Sequence, residues 1–217
     1  MRLRSSYTVN VYGIISTRKD SLILVMELLV GGDLNTLLRN ATESLPEERV
    51  RRITNDVCAG ITFLHGKEIV HGDLKSPNVL FDGRGRAKIA DFGTSRWIRH
   101  ANSTGLATYK TKAIQMSFAW AAPEVLDAGI PSYASDVYSF GVVVWEILSR
   151  EKPWMNEVRP RDIMARVFKG ERLPISGYFL ADLAGIMQTC WVDKPETRPT
   201  AKSILKRLQC DKQDSGI

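Results

Sequence analysis

The chain has 217 residues, 44% of them apolar, with a formal net charge of +6 and a pI near 9.3. That is enough apolar material for one large or two small globular domains with a real core. The basic residues are scattered, and the densest groups (Arg49, Arg51, Arg52 and Arg84, Arg86, Lys88) lack the interleaved aromatics of a single-strand binder, so nucleic acid is not an expected partner. Cys58, Cys190 and Cys210 are far apart and odd in number, which gives neither metal spacing nor a disulfide framework and points to a reduced, cytoplasmic setting. The N-terminus, MRLRSSYTVN, has no apolar stretch of signal-peptide length. The apolar runs 22–30 and 137–148 are too short to span a bilayer and carry Glu27 and Glu146, so they read as a buried strand and a buried helix, with no membrane span expected.

Residues 7–16 and 22–29 are β-rich runs around a polar turn at 17–21, the pattern of a hairpin. Gly31 and Gly32 break the second strand, and Asp33 can cap a short helix carrying Leu34, Leu37 and Leu38. Ser44 and Glu47 stand in capping-box register before a helix whose apolar face is Val50, Ile53, Val57, Ile61 and Leu64, ending at Gly66. Strands at 79–81 and 87–90 flank the turn DGRGR. Residues 94–117 have no periodicity and read as a long loop, of a length that is usually functional or disordered. Helical segments follow at 135–148, 161–168, 180–191 and 200–208, and the tail 211–217, DKQDSGI, reads as disordered. A few strands followed by many helices indicate the α+β class.

Chemistry concentrates in HGDLKSPNVLFDGRGRAKIADFG, which brings Asp73, Lys75, Asn78 and Asp91 within nineteen residues. A carboxylate can orient an attacking hydroxyl and take its proton, and a lysine can neutralise a transferred phosphoryl group. An amide oxygen and a second carboxylate suit Mg²⁺, a hard ion that bridges phosphates. A tight hairpin between Asn78 and Asp91 returns both to one end, so the four can converge. Each also has an ordinary use: Asp73 as a cap, Lys75 as a surface charge, Asn78 in a turn, Asp91 at a strand end.

The segment resembles the catalytic loop and DFG motif of protein kinases. WAAPE at 120–124, SDVYSFGVVVWEIL at 135–148 and ETRPT at 196–200 follow in the family's order, and the likeness covers about residues 7–208. The resemblance implies a protein-kinase-like fold with a partial N-lobe of hairpin and hinge at 1–29 and a mostly helical C-lobe at 30–210. It implies transfer of the ATP γ-phosphate to protein hydroxyls, with Asp73 as base, Lys75 at the γ-phosphate, and Asn78 and Asp91 holding Mg²⁺. Met26 corresponds to the gatekeeper, and the Glu27 and Leu29 backbones to the adenine-binding positions. Asp33 stands where the ribose is met and Leu80 beneath the adenine. His71, Phe92 and Val11 match members of a stacked hydrophobic spine. Glu124 and Arg198 match an ion pair, and Asp136 the anchor of the catalytic loop. DLKSPN resembles the serine/threonine pattern, and the remainder resembles the tyrosine-kinase-like branch.

Two features depart from the family. Gly72 replaces the arginine that normally meets a phosphate on the activation segment. No glycine-rich strand, strand lysine or partner glutamate is found before residue 7, and Lys19 lies in the hairpin turn, where it cannot substitute. The expectation is therefore a fragment of a serine/threonine kinase or, in the alternative, a non-catalytic pseudokinase-like scaffold.

Overall fold

The computed structural model describes residues 4–16, 22–91, 96–97, 117–157 and 159–214. β1 (Val11–Ser16) and β2 (Leu22–Met26) pair antiparallel, with Ser16 opposite Leu22 and Val11 opposite Met26. The expected turn at 17–21 lies outside the described residues. Both outer ends of the expected strands are corrected. Residues before Val11 run beside β5 (Ala87–Ile89) instead: Ile89 N donates to Tyr7 O at 2.9 Å and Val9 N to Ile89 O at 2.8 Å. That route buries Thr8 and Val9 in the helical body, whereas the side chains of β1 are exposed. Beyond Met26 the chain leaves the hairpin. Gly31 N donates to Phe81 O and Phe81 N to Gly32 O, both at 2.9 Å, alongside β4 (Val79–Phe81). A Cβ on Gly31 would lie 2.6 Å from Phe81 Cβ, so this close approach requires glycine.

Asp33 caps α1 (Leu34–Arg39) as its position suggests, accepting from Thr36 N at 2.9 Å. The Ser44 capping box is not formed. α2 (Glu47–Gly66) begins after Pro46, whose carbonyl accepts from Arg49 N and Val50 N. Leu45 precedes a proline and is steered out of helical backbone, so Ser44 cannot be the cap. α2 buries Val50, Ile53, Val57, Ile61 and Leu64 and stops at Gly66. β3 (Ile69–Val70) pairs with β6 (Arg96–Trp97), a short strand inside what the sequence reads as loop. β4 and β5 form an antiparallel hairpin whose turn is tied by Asp82 Oδ1, which accepts from Arg84 N and Arg86 N.

α3 (Pro123–Ala128), α4 (Tyr133–Ser149), α5 (Pro160–Phe168), α6 (Ala181–Cys190) and α7 (Ala201–Asp214) complete the body. α4 is its axis, with Phe140, Val143, Val144, Trp145 and Ile147 almost wholly enclosed. Ser132 and Ser135 make a capping box at its start. Gly141 lets α6 close in, since a Cβ there would stand 2.8 Å from Cys190 Cβ. At its far end Arg150 turns left-handed, at φ 59°, and its guanidinium reaches the carbonyls of Leu38, Glu43 and Asn40. The tail reading is corrected in part. α7 runs to Asp214, because extending an existing helix costs far less than starting one. The chain is thus α+β, a mostly helical lobe carrying a two-stranded hairpin. Among the described residues no helix is long and apolar enough to cross a membrane.

Candidate active site

Beyond β3 the backbone turns at Gly72, with φ 81°, a conformation that favours glycine. Asp136, in the first turn of α4 and almost fully buried, holds that turn from beneath. Its Oδ2 accepts from His71 N at 2.8 Å and from His65 Nε2 at 2.9 Å, and its Oδ1 accepts from Gly72 N at 2.9 Å. A buried carboxylate with several N–H donors is well compensated. His71 is wholly enclosed. Asp73 N donates to its Nδ1 at 3.2 Å, so the ring proton sits on Nε2 and is donated to Ala90 O at 3.0 Å. His71 therefore braces the loop against the end of β5. Of its expected companions, Val11 is exposed and Phe92 lies outside the described residues.

The residues after that turn converge. Lys75 Nζ lies 2.7 Å from Asp73 Oδ2 and 2.8 Å from Ser117 Oγ. Asn78 Nδ2 donates to Asp73 O at 2.9 Å and sits 3.3 Å from Asp73 Oδ2, which fixes the amide with its Oδ1 away from Asp73. Ala90 N donates to Asn78 O at 2.8 Å, so Asp91 follows directly beside Asn78, solvent-facing and left-handed at φ 61°. A non-glycine residue held at positive φ is a conformation that concentrates at functional sites.

Of the five residues that the resemblance assigns to the nucleotide, two are joined directly. Asp33 and Leu80 are bridged between backbones, which puts the α1 cap beside the β4 side chain. Both Asp33 carboxylate oxygens are taken by Thr36, through its N–H and its hydroxyl. Met26 is exposed and Leu29 half-buried. Glu27 N donates to Asn10 O, and the Glu27 side chain turns inward. It accepts from Lys88 Nζ at 2.8 and 3.0 Å, and from Asn10 N and Nδ2. Burial alone would raise the Glu27 carboxyl, but the bonds from Lys88 and Asn10 outweigh it and hold it below the usual range.

Sequence reasoning missed Lys88 as that partner, Ser117 as the second contact of Lys75, and Glu146. Glu146, 0% exposed on α4, receives Arg39 Nη2 at 3.0 Å, Ser76 Oγ at 2.7 Å and Trp120 Nε1 at 2.7 Å. A glutamate amid the apolar run 137–148 was the available signal, since such a group needs partners when buried. Glu124 and Arg198 pair as expected, at 2.6 and 2.9 Å.

A loop that presents an aspartate, a lysine and an asparagine beside a second aspartate, braced from below by a buried carboxylate, holds the residue types that phosphoryl transfer to a hydroxyl calls for. The protein tyrosine and serine/threonine kinase family matches residues 1–208, and the chain belongs to it. It is 38% identical over 96% of its length to serine/threonine-protein kinase CTR1 of Arabidopsis thaliana, covering 25% of that protein. It is 35% identical over 92% of its length to tyrosine-protein kinase Shark of Drosophila melanogaster, covering 21%, and 36% identical over 93% to probable serine/threonine-protein kinase SIS8 of Arabidopsis thaliana, covering 19%. The chain thus spans a quarter or less of these curated relatives.

Proposed function

We propose that the chain carries the catalytic lobe of a cytoplasmic protein serine/threonine kinase of the tyrosine-kinase-like branch, moving the γ-phosphate of ATP to serine and threonine hydroxyls of proteins. In this reading residues 1–29 belong to the N-lobe side and 30–210 to the C-lobe. The observation that carries it is Lys75. Two places after the base, its ammonium sits within 2.8 Å of both Asp73 and the Ser117 hydroxyl, where it can meet a phosphoryl group passing to a hydroxyl. Asp73 orients the acceptor hydroxyl and takes its proton. Leu80 and Met26 flank the adenine, the Glu27 and Leu29 backbones bind its edge, and Asp33 meets the ribose.

The donor set fits Mg²⁺: Asn78 offers an amide oxygen turned away from Asp73, and Asp91 a solvent-facing carboxylate next to it. Those two residues would hold the ion, which neutralises charge on bridged phosphates. One observation favours the scaffold reading. Lys88, the buried lysine near the site, is neutralised by Glu27 and is not open to a phosphate. The test uses protein captured from its source cells with an antibody to this chain, incubated with Mg-ATP and a mixed peptide library. Phosphoserine and phosphothreonine are expected. Predominant phosphotyrosine would overturn the specificity, and transfer that survives Asp73→Asn, or no transfer at all, would overturn the kinase reading in favour of the scaffold.

A further inference from the structure

Glu146 joins three separate segments of the site. Ser76 lies between Lys75 and Asn78 in the catalytic loop. Arg39 ends α1, whose cap Asp33 borders the nucleotide edge. Trp120 lies three residues after Ser117, the hydroxyl bonded to Lys75. All three present donors, Ser76 and Arg39 to Oε1 and Trp120 to Oε2. Three donors converging on two oxygens complement an anion. A neutral carboxyl adds a donor of its own, which only the Ser76 hydroxyl can accept, by reversing its bond, while the bonds from Arg39 and Trp120 lose the negative charge that strengthens them.

We propose that Glu146 is a positioning residue that locks the catalytic loop, α1 and the segment around Trp120 into one register as an anion, and that proton uptake loosens the lock. The inference rests on the kinase reading for its consequence, not for its geometry. Burial pushes the Glu146 carboxyl up to about 7, against the bonds from Trp120 and Ser76 and the charge of Arg39. The facing groups are few. Arg39 is the cation from α1, itself drawn toward Glu151 beyond α4, and burial lowers its pKa against the pull of Glu146. Ser76 faces from the loop and Trp120 from the segment after 117. On α4's own end Arg150 is turned away onto carbonyls near α1. The lock therefore changes state in the neutral range, where small shifts in proton activity matter.

The Trp120 indole reports it directly, because its N–H ends on the carboxylate. In ¹⁵N-labelled chain, with the resonance assigned by Trp120→Phe, the indole signal is expected to titrate with a midpoint near 7. Glu146→Gln should abolish that titration and speed hydrogen exchange at 73–78 and 118–121 at least about tenfold. If Glu146→Gln does not fold, Ser76→Ala removes the loop tie alone, and should move the midpoint and speed exchange at 73–78. An indole signal flat from pH 5.5 to 8.5, or exchange unchanged in the folded variant, overturns the proposal. In protein captured from cells, Glu146→Gln should raise the acceptor-peptide KM about tenfold and, because Arg150 still holds the end of α1, leave the ATP KM within about twofold. Equal rises in both would reduce Glu146 to a structural part and overturn the positioning role. Absence of phosphotransfer in the unmodified protein sinks the kinase reading, while the indole titration decides the lock.

Discussion

Removing the carboxylate of Glu124 should cost the fold more than its partly exposed position suggests. Arg198 has a fully buried side chain, while that of Glu124 is 26% exposed. The guanidinium meets the carboxylate twice, at 2.6 and 2.9 Å, and donates further to the carbonyls of Val192, Ala134 and Asp193 above the Tyr138 ring. Glu124→Ala leaves that cation in the interior with neutral acceptors only. Breaking a buried pair from one side costs about 3–5 kcal/mol, and water reaching the rim brings the figure toward about 3 kcal/mol. Arg198→Met should cost about 3–4 kcal/mol by a different route: three carbonyls lose a donor at about 1 kcal/mol each, while Glu124 is rehydrated. The double variant should then cost about 4 kcal/mol, well short of the sum. For a chain of this size each kcal/mol moves Tm by about 2–4 °C, so Glu124→Ala should melt about 6–12 °C lower. Urea unfolding followed by circular dichroism and by tryptophan fluorescence, with coincident transitions, supplies the free energies. Glu124→Ala within about 1 kcal/mol of the parent, or strict additivity in the double variant, would refute the reasoning.

Asp136→Asn places an amide among three N–H donors, and should lower kcat at least about a hundredfold in the captured protein and cost about 2–4 kcal/mol of stability, read by urea unfolding. Gly31→Ala should push residues 31–33 off β4 and weaken Mg-ATP binding about tenfold in calorimetry. The folded-state pKa of Glu146 is raised, so its contribution to stability is present below about pH 4.5 and lost as pH rises through about 7. Relative to Glu146→Gln the parent should therefore lose about 3 kcal/mol between those limits, while the Trp120 tie tightens. Burial raises the Cys58 thiol and pushes Cys190 up to about 12, whereas Cys210 is exposed. One thiol should react rapidly with a maleimide at neutral pH, and Cys210→Ser should abolish that phase in the mass spectrum.

What the sequence discloses and what it conceals divide by the range of the interaction. Asp73, Lys75 and Asn78 are close in the chain, and their convergence follows from the turn at Gly72 and a single 3₁₀ turn at Ser76–Asn78. The apolar repeat of α2 and the capping position of Asp33 are equally local. The start of α2 was misjudged because two local rules compete there, and the proline restriction on Leu45 overrides the Ser44–Glu47 spacing. The rest depends on partners that no periodicity links. Glu146 meets residues 107, 70 and 26 positions away, and Lys88 meets Glu27 across 61. Tyr7 and Val9 look like an extension of β1, but a parallel partner in β5 offers them burial that β2 does not.

The chain between Glu27 and Gly31 has a mechanical meaning. Glu27 is clamped to Lys88 and Gly31 to Phe81, both on the β4–β5 hairpin. Leu28, Leu29 and Val30 lie between the clamps, and Leu28 and Val30 stand out in solvent. On the other crossing, Val9 is fixed to Ile89 immediately before β1 starts. The β1–β2 hairpin therefore hangs from two neighbouring fixings, at Val9 and Glu27, while residues 28–30, about 10 Å of extended chain, bridge two points of the β4–β5 hairpin. A swing of the hairpin relative to the helices must be absorbed in the torsions beside Asn10 and Glu27, where it joins those fixings. Because Arg150 and Glu146 fasten α1 to α4, and Glu146 also holds Ser76, that swing leaves α1 and the loop at 71–78 in place.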